Sequence, residues 1–574
     1  MVGRMSTERV PRKSSGRLEN WVPGIRMIRL YQRAWARSDL VAGIVLAAIL
    51  VPQGMAYAEL AGLPAVNGLY TTMACLVGYA LFGPSRILVL GPDSSLGPLI
   101  LLAILPLAIA DDPTELVALA GMLALLVAAI EIGLGLGKLG FVADLLSKEV
   151  QVGYMIGLGI TIFVGQLPKL FGFSTDADEF LDEVRAFFDG LDARNGYTLA
   201  VGLASLALLL ILPRFTRRIP AVLITVILST LAVGLLNLKD KGVTTVGSLP
   251  QGLPRPQVPD IALSDVGALL AAAIGITLVS LADTIATSTS FAARRGDEVD
   301  ASQEMIGIGA ANAFAGLFQG FPVSTSGSRT AVAEQGGAKS QVTGLVGAGL
   351  VAIMLLFLPD VLANLPNSAL AAIVIAAALS LMDIAAVAKF RRVRASAFVL
   401  AMTTTLGVVL FGVLEGILIA VGLSILGFFK RNWWPTGQVL GRVASLDAWR
   451  TIEAYPDAAQ TPGVVVFRWE APLFFANASV FRQEIHQLVN RFDAHWVVVQ
   501  CEAITDIDVT AADMLERLDR ELNQHGVHLV FVELRNRLYE LLTRYGLLET
   551  LDQRHFYDSL DEALTSIDTM VRSR

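Results

Sequence analysis

The sequence predicts a polytopic α-helical membrane protein of about fourteen spans, arranged as two seven-span repeats, with an α/β domain after the last span. Three observations predict it. Of 574 residues, 54% are hydrophobic and only 17% charged, against about one quarter charged in soluble domains. The apolar residues gather into runs of membrane-crossing length between residues 40 and 430. Two of these runs, at matching places in the two halves, are broken by proline and continue with small hydroxyl residues.

The elements follow in order. Residues 1–39 are basic and hold no apolar core, which argues against a cleaved signal peptide. A crossing helix needs about 17 to 25 apolar residues. Span 1 (40–58), span 2 (66–83), span 4 (116–136), span 5 (150–168), span 6 (197–213), span 7 (219–237) and span 8 (265–289) meet or approach that length. So do span 11 (340–358), span 12 (368–386), span 13 (396–413) and span 14 (415–430). Span 3 (87–110), span 9 (303–318) and span 10 (321–336) are apolar but poor in large residues or interrupted by Gly and Pro.

Charge distribution checks the count, because Lys and Arg mark cytosolic loops. Cations run from Arg4, Arg9, Arg12, Lys13 and Arg17 to Arg37, before span 1. They recur on alternate loops at Arg86, Lys138 and Lys148, Arg214, Arg217 and Arg218, Arg294 and Arg295, Lys339, and Lys389 to Arg394. Lys430 and Arg431 follow span 14. The intervening loops are neutral or acidic, such as Asp111-Asp112 and the 174–195 stretch with Asp176, Asp178 and Glu179. Both ends are expected in the cytosol of a multi-pass protein of the cell membrane. The domain reading is a cytosolic arm (1–39), a transmembrane domain (40–430) and a cytosolic linker and soluble domain (431–574).

That soluble domain alternates strand and helix signals: strands at 464–469, 495–502 and 528–534, helices at 478–492, 510–524 and 535–545. It carries no catalytic pattern. The five histidines (486, 495, 525, 528, 555) all lie in it, and the chain has neither a Walker loop nor metal-ligand spacing. An enzyme and an ATP-driven pump are therefore not expected, nor a nucleic-acid partner. Cys75 falls in an apolar run and Cys501 in the tail, so no disulfide is expected.

The chemistry concentrates at the two broken runs, ILVLGPDSSLGP (87–98) and GFPVSTSGSRT (320–330). Proline disfavours helix before it, and Ser or Asp caps a helix start. Each run should be an extended lead-in followed by a half-helix that begins inside the membrane. Its free N–H groups and positive dipole end would face the midplane, where two such ends bind an anion. Broken spans at corresponding positions mark inverted-repeat transporters. The first spans of the two halves add polar pairs four residues apart, Gln53 with Tyr57 and Asp283 with Thr287. Asp283 can accept a proton, or with Thr287 ligate sodium. Arg329, inside a membrane segment, calls for an anion or carboxylate nearby. Glu131 and Glu415 lie near span ends and read as structural or interfacial.

At these residues the sequence resembles the SulP (sulfate permease) family of anion transporters. VPQGMAYAELAGLPAVNGLY (51–70), LGFVADLLSKEVQVGYMIG (139–157) and FPVSTSGSRTAVAEQGGAKSQVTGL (321–345) resemble its signature stretches, and the tail resembles a STAS domain. The resemblance implies two inverted seven-span repeats folded into a core and a gate, and a homodimer. It implies an anion held by Gln53, Tyr57, Pro92, Asp93, Ser94, Ser326, Ser328 and Arg329, with Asp283 as the acidic coupling position. The flanks FAARRGDEV (291–299) and FPVSTSGSRTAV resemble the sulfate-type branch, whereas Asp283 with Thr287 resembles sodium-driven bicarbonate members. The function expected is secondary active transport of a small oxyanion, foremost sulfate, by proton or sodium symport with alternating access. Bicarbonate and dicarboxylates are the alternatives, and a passive channel or exchanger is the alternative class. No cofactor is expected beyond sodium. Where related anti-sigma antagonists carry Asp-Ser-Ser-Gly, this tail has Asp508-Val509-Thr510-Ala511. The domain is therefore expected to dock and stabilise a dimer rather than act as a phospho-switch.

Overall fold

The computed structural model describes residues 22–108, 112–140, 147–175, 180–215, 220–435, 437–551 and 555–572. The predicted loop charges Arg4, Arg9, Arg12, Lys13, Arg17, Asp111, Asp176, Asp178, Glu179, Arg217 and Arg218, and positions 141–146 of the second signature stretch, lie outside them. The chain divides into two compact units at Ser424/Ile425, inside the last span.

Each predicted span contains a helix. Span 1 is Ala36–Leu60, span 4 Pro113–Leu136, span 5 Lys148–Phe171 and span 8 Leu263–Arg295. At 33 residues span 8 is about 50 Å long, well beyond the ~30 Å of hydrocarbon. Spans 3 and 10 hold only Gly97–Ile104 and Gly327–Gln335 as α-helix, about 12 to 14 Å each. Span 12 ends earlier than predicted, at Leu381. Asp383 caps a separate helix there, Ile384–Val393, by accepting from the Ala386 N–H at 2.9 Å. A further helix, Phe180–Asp189, lies in the stretch read as a loop.

The spans pack as two bundles, each drawing on both repeats. Spans 1, 2, 4, 8, 9, 10 and 11 pack on one another, with span 3 against spans 1, 4 and 8. Spans 5, 6, 7, 12 and 13 form the second bundle, and a Cβ at Gly416 of span 14 would lie 2.5 Å from the Val408 nitrogen of span 13. Span 1 meets the second bundle through spans 7 and 12. This is the core-and-gate partition of a two-repeat transporter.

Extended backbone within a membrane must find its hydrogen bonds inside the protein. Here the two lead-ins satisfy each other. Strand β1 (Leu90–Gly91) pairs antiparallel with β2 (Ser324–Thr325), Leu90 opposite Thr325 and Gly91 opposite Ser324. Around them the Ser326 N–H donates to the Val89 carbonyl at 3.1 Å, and the Val89 N–H to the Thr330 hydroxyl at 3.1 Å. The Gln341 amide donates to the Ser85 and Leu88 carbonyls at 2.8 and 2.9 Å. Small polar side chains on neighbouring helices thus replace the water that lipid cannot supply.

The second unit builds a six-stranded sheet in the order β4-β3-β5-β6-β7-β8. Strands β5 (Val464–Trp469), β6 (Trp496–Gln500), β7 (His528–Val532) and β8 (Phe556–Tyr557) are parallel, and β3 (Gly437–Val443) pairs antiparallel with β4 (Ala448–Thr451) and β5. Alternation sets the two faces. Val465, Phe467, Val497 and Val499 pack under Ala478–Phe492 and Val509–Gln524, while Val466, Val498 and Val530 pack on Leu560–Arg572.

Candidate functional site

The short β1–β2 pair brings the two half-helix starts together. On the span 3 side, Asp93 begins the turn: its carbonyl accepts from the Leu96 and Gly97 N–H groups, and Oδ1 accepts from the Ser95 N–H at 3.0 Å and hydroxyl at 2.7 Å. The half-helix therefore starts at Gly97, five residues after Pro92, rather than at it. On the span 10 side, Ser326 caps the helix, its hydroxyl accepting from the Arg329 N–H at 3.4 Å.

Residues 320–325 are buried, Ser326 is half-buried, and Gly327 and Ser328 are exposed. The Ser326 and Ser328 hydroxyls lie 3.0 Å apart, and a Cβ at Gly327 would meet nothing within 4 Å. This turn is where span 10 offers donors to open space. Tyr57, buried on span 1, lies against Ser94 and close to Asp93 and Arg329. Ser94 is buried, and Gln53, four residues before Tyr57, is half-buried.

Arg329, the residue after Ser328, is buried among the lead-in of span 3. It is 1% exposed. Nη1 donates to the Pro92 carbonyl at 2.6 Å, Nη2 to the Gly91 carbonyl at 3.4 Å, and Nη2 pairs with Asp93 Oδ2 at 3.6 Å. A Cβ at position 91 would lie 2.9 Å from Nη1, which is why that strand position is glycine. The Arg329 guanidinium holds the carbonyls of the facing lead-in, and its charge is met by Asp93.

Asp283, in span 8, joins the same cluster. Its Oδ2 lies 3.3 Å from the Ser95 hydroxyl, and its Oδ1 accepts from the Gln151 amide of span 5 at 3.4 Å. Ser95 has one hydroxyl hydrogen to share between Asp93 and Asp283. Tyr154, one turn after Gln151, is buried near both carboxylates. The site therefore sits between the bundles, with span 5 of the gate touching the carboxylate of the core. Thr287 is half-buried, and no hydrogen bond joins it to this cluster among the described residues. No group of three or more His, Cys, Asp or Glu side chains suited to a metal occurs among the described residues.

Ser95, Gln151 and Tyr154 were not singled out from the sequence. Ser95 belongs to the hydroxyl pair after Pro92. Gln151 and Tyr154 are a polar pair three apart in an apolar span, the same signal that marked Gln53 with Tyr57. A cavity of about 790 Å³ lies elsewhere, among Arg26, Arg86, Arg295, Glu304 and Lys339, and none of the predicted site residues lines it.

Comparison with known proteins agrees with this architecture. Residues 37–404 match the sulfate permease family and residues 455–563 the STAS domain. The chain is 40% identical over 546 residues to a probable sulfate transporter of Mycobacterium tuberculosis, covering 95% of this chain and 97% of that protein. It is 30% identical to probable sulfate transporter 4.2 of Arabidopsis thaliana, covering 94% and 82%. Among solved structures, it superposes on the murine solute carrier 26 family member A9 anion transporter in the inward-facing state with a TM-score of 0.87. That match has 24% identity and covers 99% of both chains. It also superposes on the transmembrane domain of a cyanobacterial bicarbonate transporter with a TM-score of 0.60 at 21% identity, covering 69% of this chain and 98% of that one. Two bundles drawn from both repeats, crossed strands at paired half-helices and a STAS tail agree with these matches, and the chain belongs to the sulfate permease family of membrane transporters.

Proposed function

We propose that the protein is a secondary active transporter that carries sulfate across the membrane by cation symport with alternating access. The observation that carries this reading is the Asp93–Ser95–Asp283 cluster beside the exposed Ser326–Ser328 turn. Arg329 is balanced by Asp93. An oxyanion arriving at the two half-helix starts therefore meets the charge of Asp283, which has no cation paired with it among the described residues. Two like charges in a low-dielectric pocket repel strongly. A proton or sodium ion on Asp283 removes that repulsion, so anion and cation favour each other's binding, which is the thermodynamic content of symport. The Gln151 amide reaches Asp283 from the other bundle, so the same loading changes a contact that alternating access must break.

Sulfate leads because the relatives at 40% and 30% identity are named sulfate transporters. The proton leads over sodium because Thr287, the second ligand a sodium site would need, stands outside the hydrogen-bonded cluster. Bicarbonate is the second reading, on the fold shared with a bicarbonate transporter.

Radiolabelled sulfate uptake into proteoliposomes tests this, with an imposed pH or sodium gradient and with bicarbonate and fumarate as competitors. An inward proton gradient should drive accumulation above equilibrium, and collapsing it should abolish the excess. Asp283→Asn should keep sulfate exchange but lose gradient-driven accumulation. Uptake that only equilibrates would favour a passive channel, and unimpaired accumulation by Asp283→Asn would move the coupling elsewhere.

A further inference from the structure

We propose that Glu131 is a positioning residue for the anion site, holding the lead-in of span 10 in register with the turn of span 8 that carries Asp283. The transport part of its test rests on the function proposed above. Glu131 was read from the sequence as structural or interfacial, near the end of span 4. It is fully buried, as are Ser280 of span 8 and Asn312 of span 9, which leaves the structural reading and not the interfacial one. No ion pair to Glu131 is found among the described residues. Its partners are neutral donors: Ser280 Oγ reaches Oε1 at 2.9 Å and Asn312 Nδ2 reaches Oε2 at 2.8 Å.

The two helices that set this geometry are in backbone contact. A Cβ at Gly316 would lie 2.6 Å from the Gly121 carbonyl oxygen. One at Gly309 would lie 3.0 Å from the Ile132 nitrogen. Small residues let membrane helices approach this closely. Glu131 and Asn312 thus face each other across a rigid pair, and neither can drift to relieve a lost bond.

Asn312 then fixes the chain entering the site. Its Oδ1 accepts from the Val323 N–H at 2.8 Å, one residue before β2 and three before Ser326. With the oxygen committed there, Nδ2 turns to its own acceptors, of which Glu131 at 2.8 Å is the shortest and the Ile308 and Val323 carbonyls at 3.3 and 3.5 Å are longer. Ser280 lies 3.4 Å from the Val323 carbonyl, three residues before Asp283. One carboxyl group thereby ties both the strand that presents Ser326 and the helix turn that presents Asp283. Without it, the Ser280 hydroxyl turns to Val323 and the Asn312 Nδ2 keeps only its longer contacts, to the Ile308 and Val323 carbonyls at 3.3 and 3.5 Å, which loosens its hold on the Val323 N–H. A buried hydrogen-bonded carboxylate can also serve stability alone, and the test must separate the two.

The test uses the full-length protein in proteoliposomes with sulfate, together with amide hydrogen exchange of residues 320–326 measured without substrate. Glu131→Gln preserves the network, since its oxygen accepts from Asn312 and its amide donates to Ser280, whose proton turns to the Val323 carbonyl. Its KM should stay within about twofold and its pH profile should match the parent. Glu131→Leu should raise KM at least about tenfold, equivalent to ~1.4 kcal/mol of lost anion positioning, with less change in Vmax per folded molecule. It should also speed exchange at 320–326. Asn312→Ala should do the same, and serves if the leucine variant does not fold. Parental KM and exchange in Glu131→Leu or Asn312→Ala would overturn the proposal. So would loss of proton-driven uptake in Glu131→Gln, which would make Glu131 a proton carrier. If the parent transports no sulfate, the proposed function fails, yet the exchange measurement still decides whether the network holds span 10.

Discussion

At the scale of single residues, the site turns on what a charge does when it is buried. Arg329 forks onto two carbonyls and a carboxylate, a geometry that a lysine ammonium cannot reproduce. Arg329→Lys should therefore impair sulfate uptake nearly as much as Arg329→Gln. If charge alone mattered, Lys would rescue, and Gln would weaken divalent anions more than monovalent ones. Asp39 makes a comparable case away from the site. Fully buried, it accepts from the Lys339 and Ser340 N–H groups at 2.7 and 3.2 Å and from the Ser340 and Thr343 hydroxyls at 2.7 and 3.1 Å. Asp39→Ala leaves several buried donors without an acceptor and should cost about 3 kcal/mol, visible as a lowered Tm in scanning fluorimetry. From sequence Asp39 is one polar residue at the end of an apolar run, because its partners lie some 300 positions away.

At the scale of elements, the broken spans were legible and their partners were not. Proline followed by Ser or Asp is a local signal: it places the span 10 half-helix, whereas the span 3 half-helix begins only at Gly97, after the turn at Asp93. The pairing of β1 with β2 and the bridging by Ser95 depend on residues far apart in the chain. Span 12 was overrun because the amphipathic helix after it continues the apolar residues in sequence. Strands β3 and β4 escaped because GQVLGRV and AWRT alternate too weakly to stand out beside the membrane run they follow. In span 10, Ser328→Leu should abolish anion binding by filling the open turn, whereas Ser326→Ala should be milder because the backbone donors remain. Equilibrium binding to purified protein checks both. Just after β6, burial pushes the Cys501 thiol up to about 12 from 9.0. Its folded form keeps the proton, so the contribution is intact below pH 9 and declines above it as the unfolded thiol ionises. Relative to Cys501→Ala, the parent should lose up to about 1.4 kcal/mol per pH unit above 9, read from denaturation at pH 8 and 10.

At the scale of the whole molecule, the site residues all precede the compact unit that starts at Ile425. Deleting residues 437–574 should leave a folded membrane domain that still binds sulfate, with transport rate or assembly altered. Binding lost from a correctly folded truncation would contradict this division. The partition into two bundles was expected only through the family resemblance. Hydropathy counts helices but does not say which of them touch.

The β1–β2 crossing also constrains how the protein is made. Arg329 and Pro92 are bonded across 237 positions, so a ribosome has delivered most of the first repeat long before its partner strand exists. During that interval the extended stretch around Leu90 carries donors and acceptors that lipid cannot satisfy. The first repeat must then wait in a wet or chaperoned setting, and spans 3 and 10 must enter the bilayer together and late. Nascent chains arrested before residue 330 should expose residues 87–96 to aqueous labelling reagents, and chains released after residue 345 should protect them.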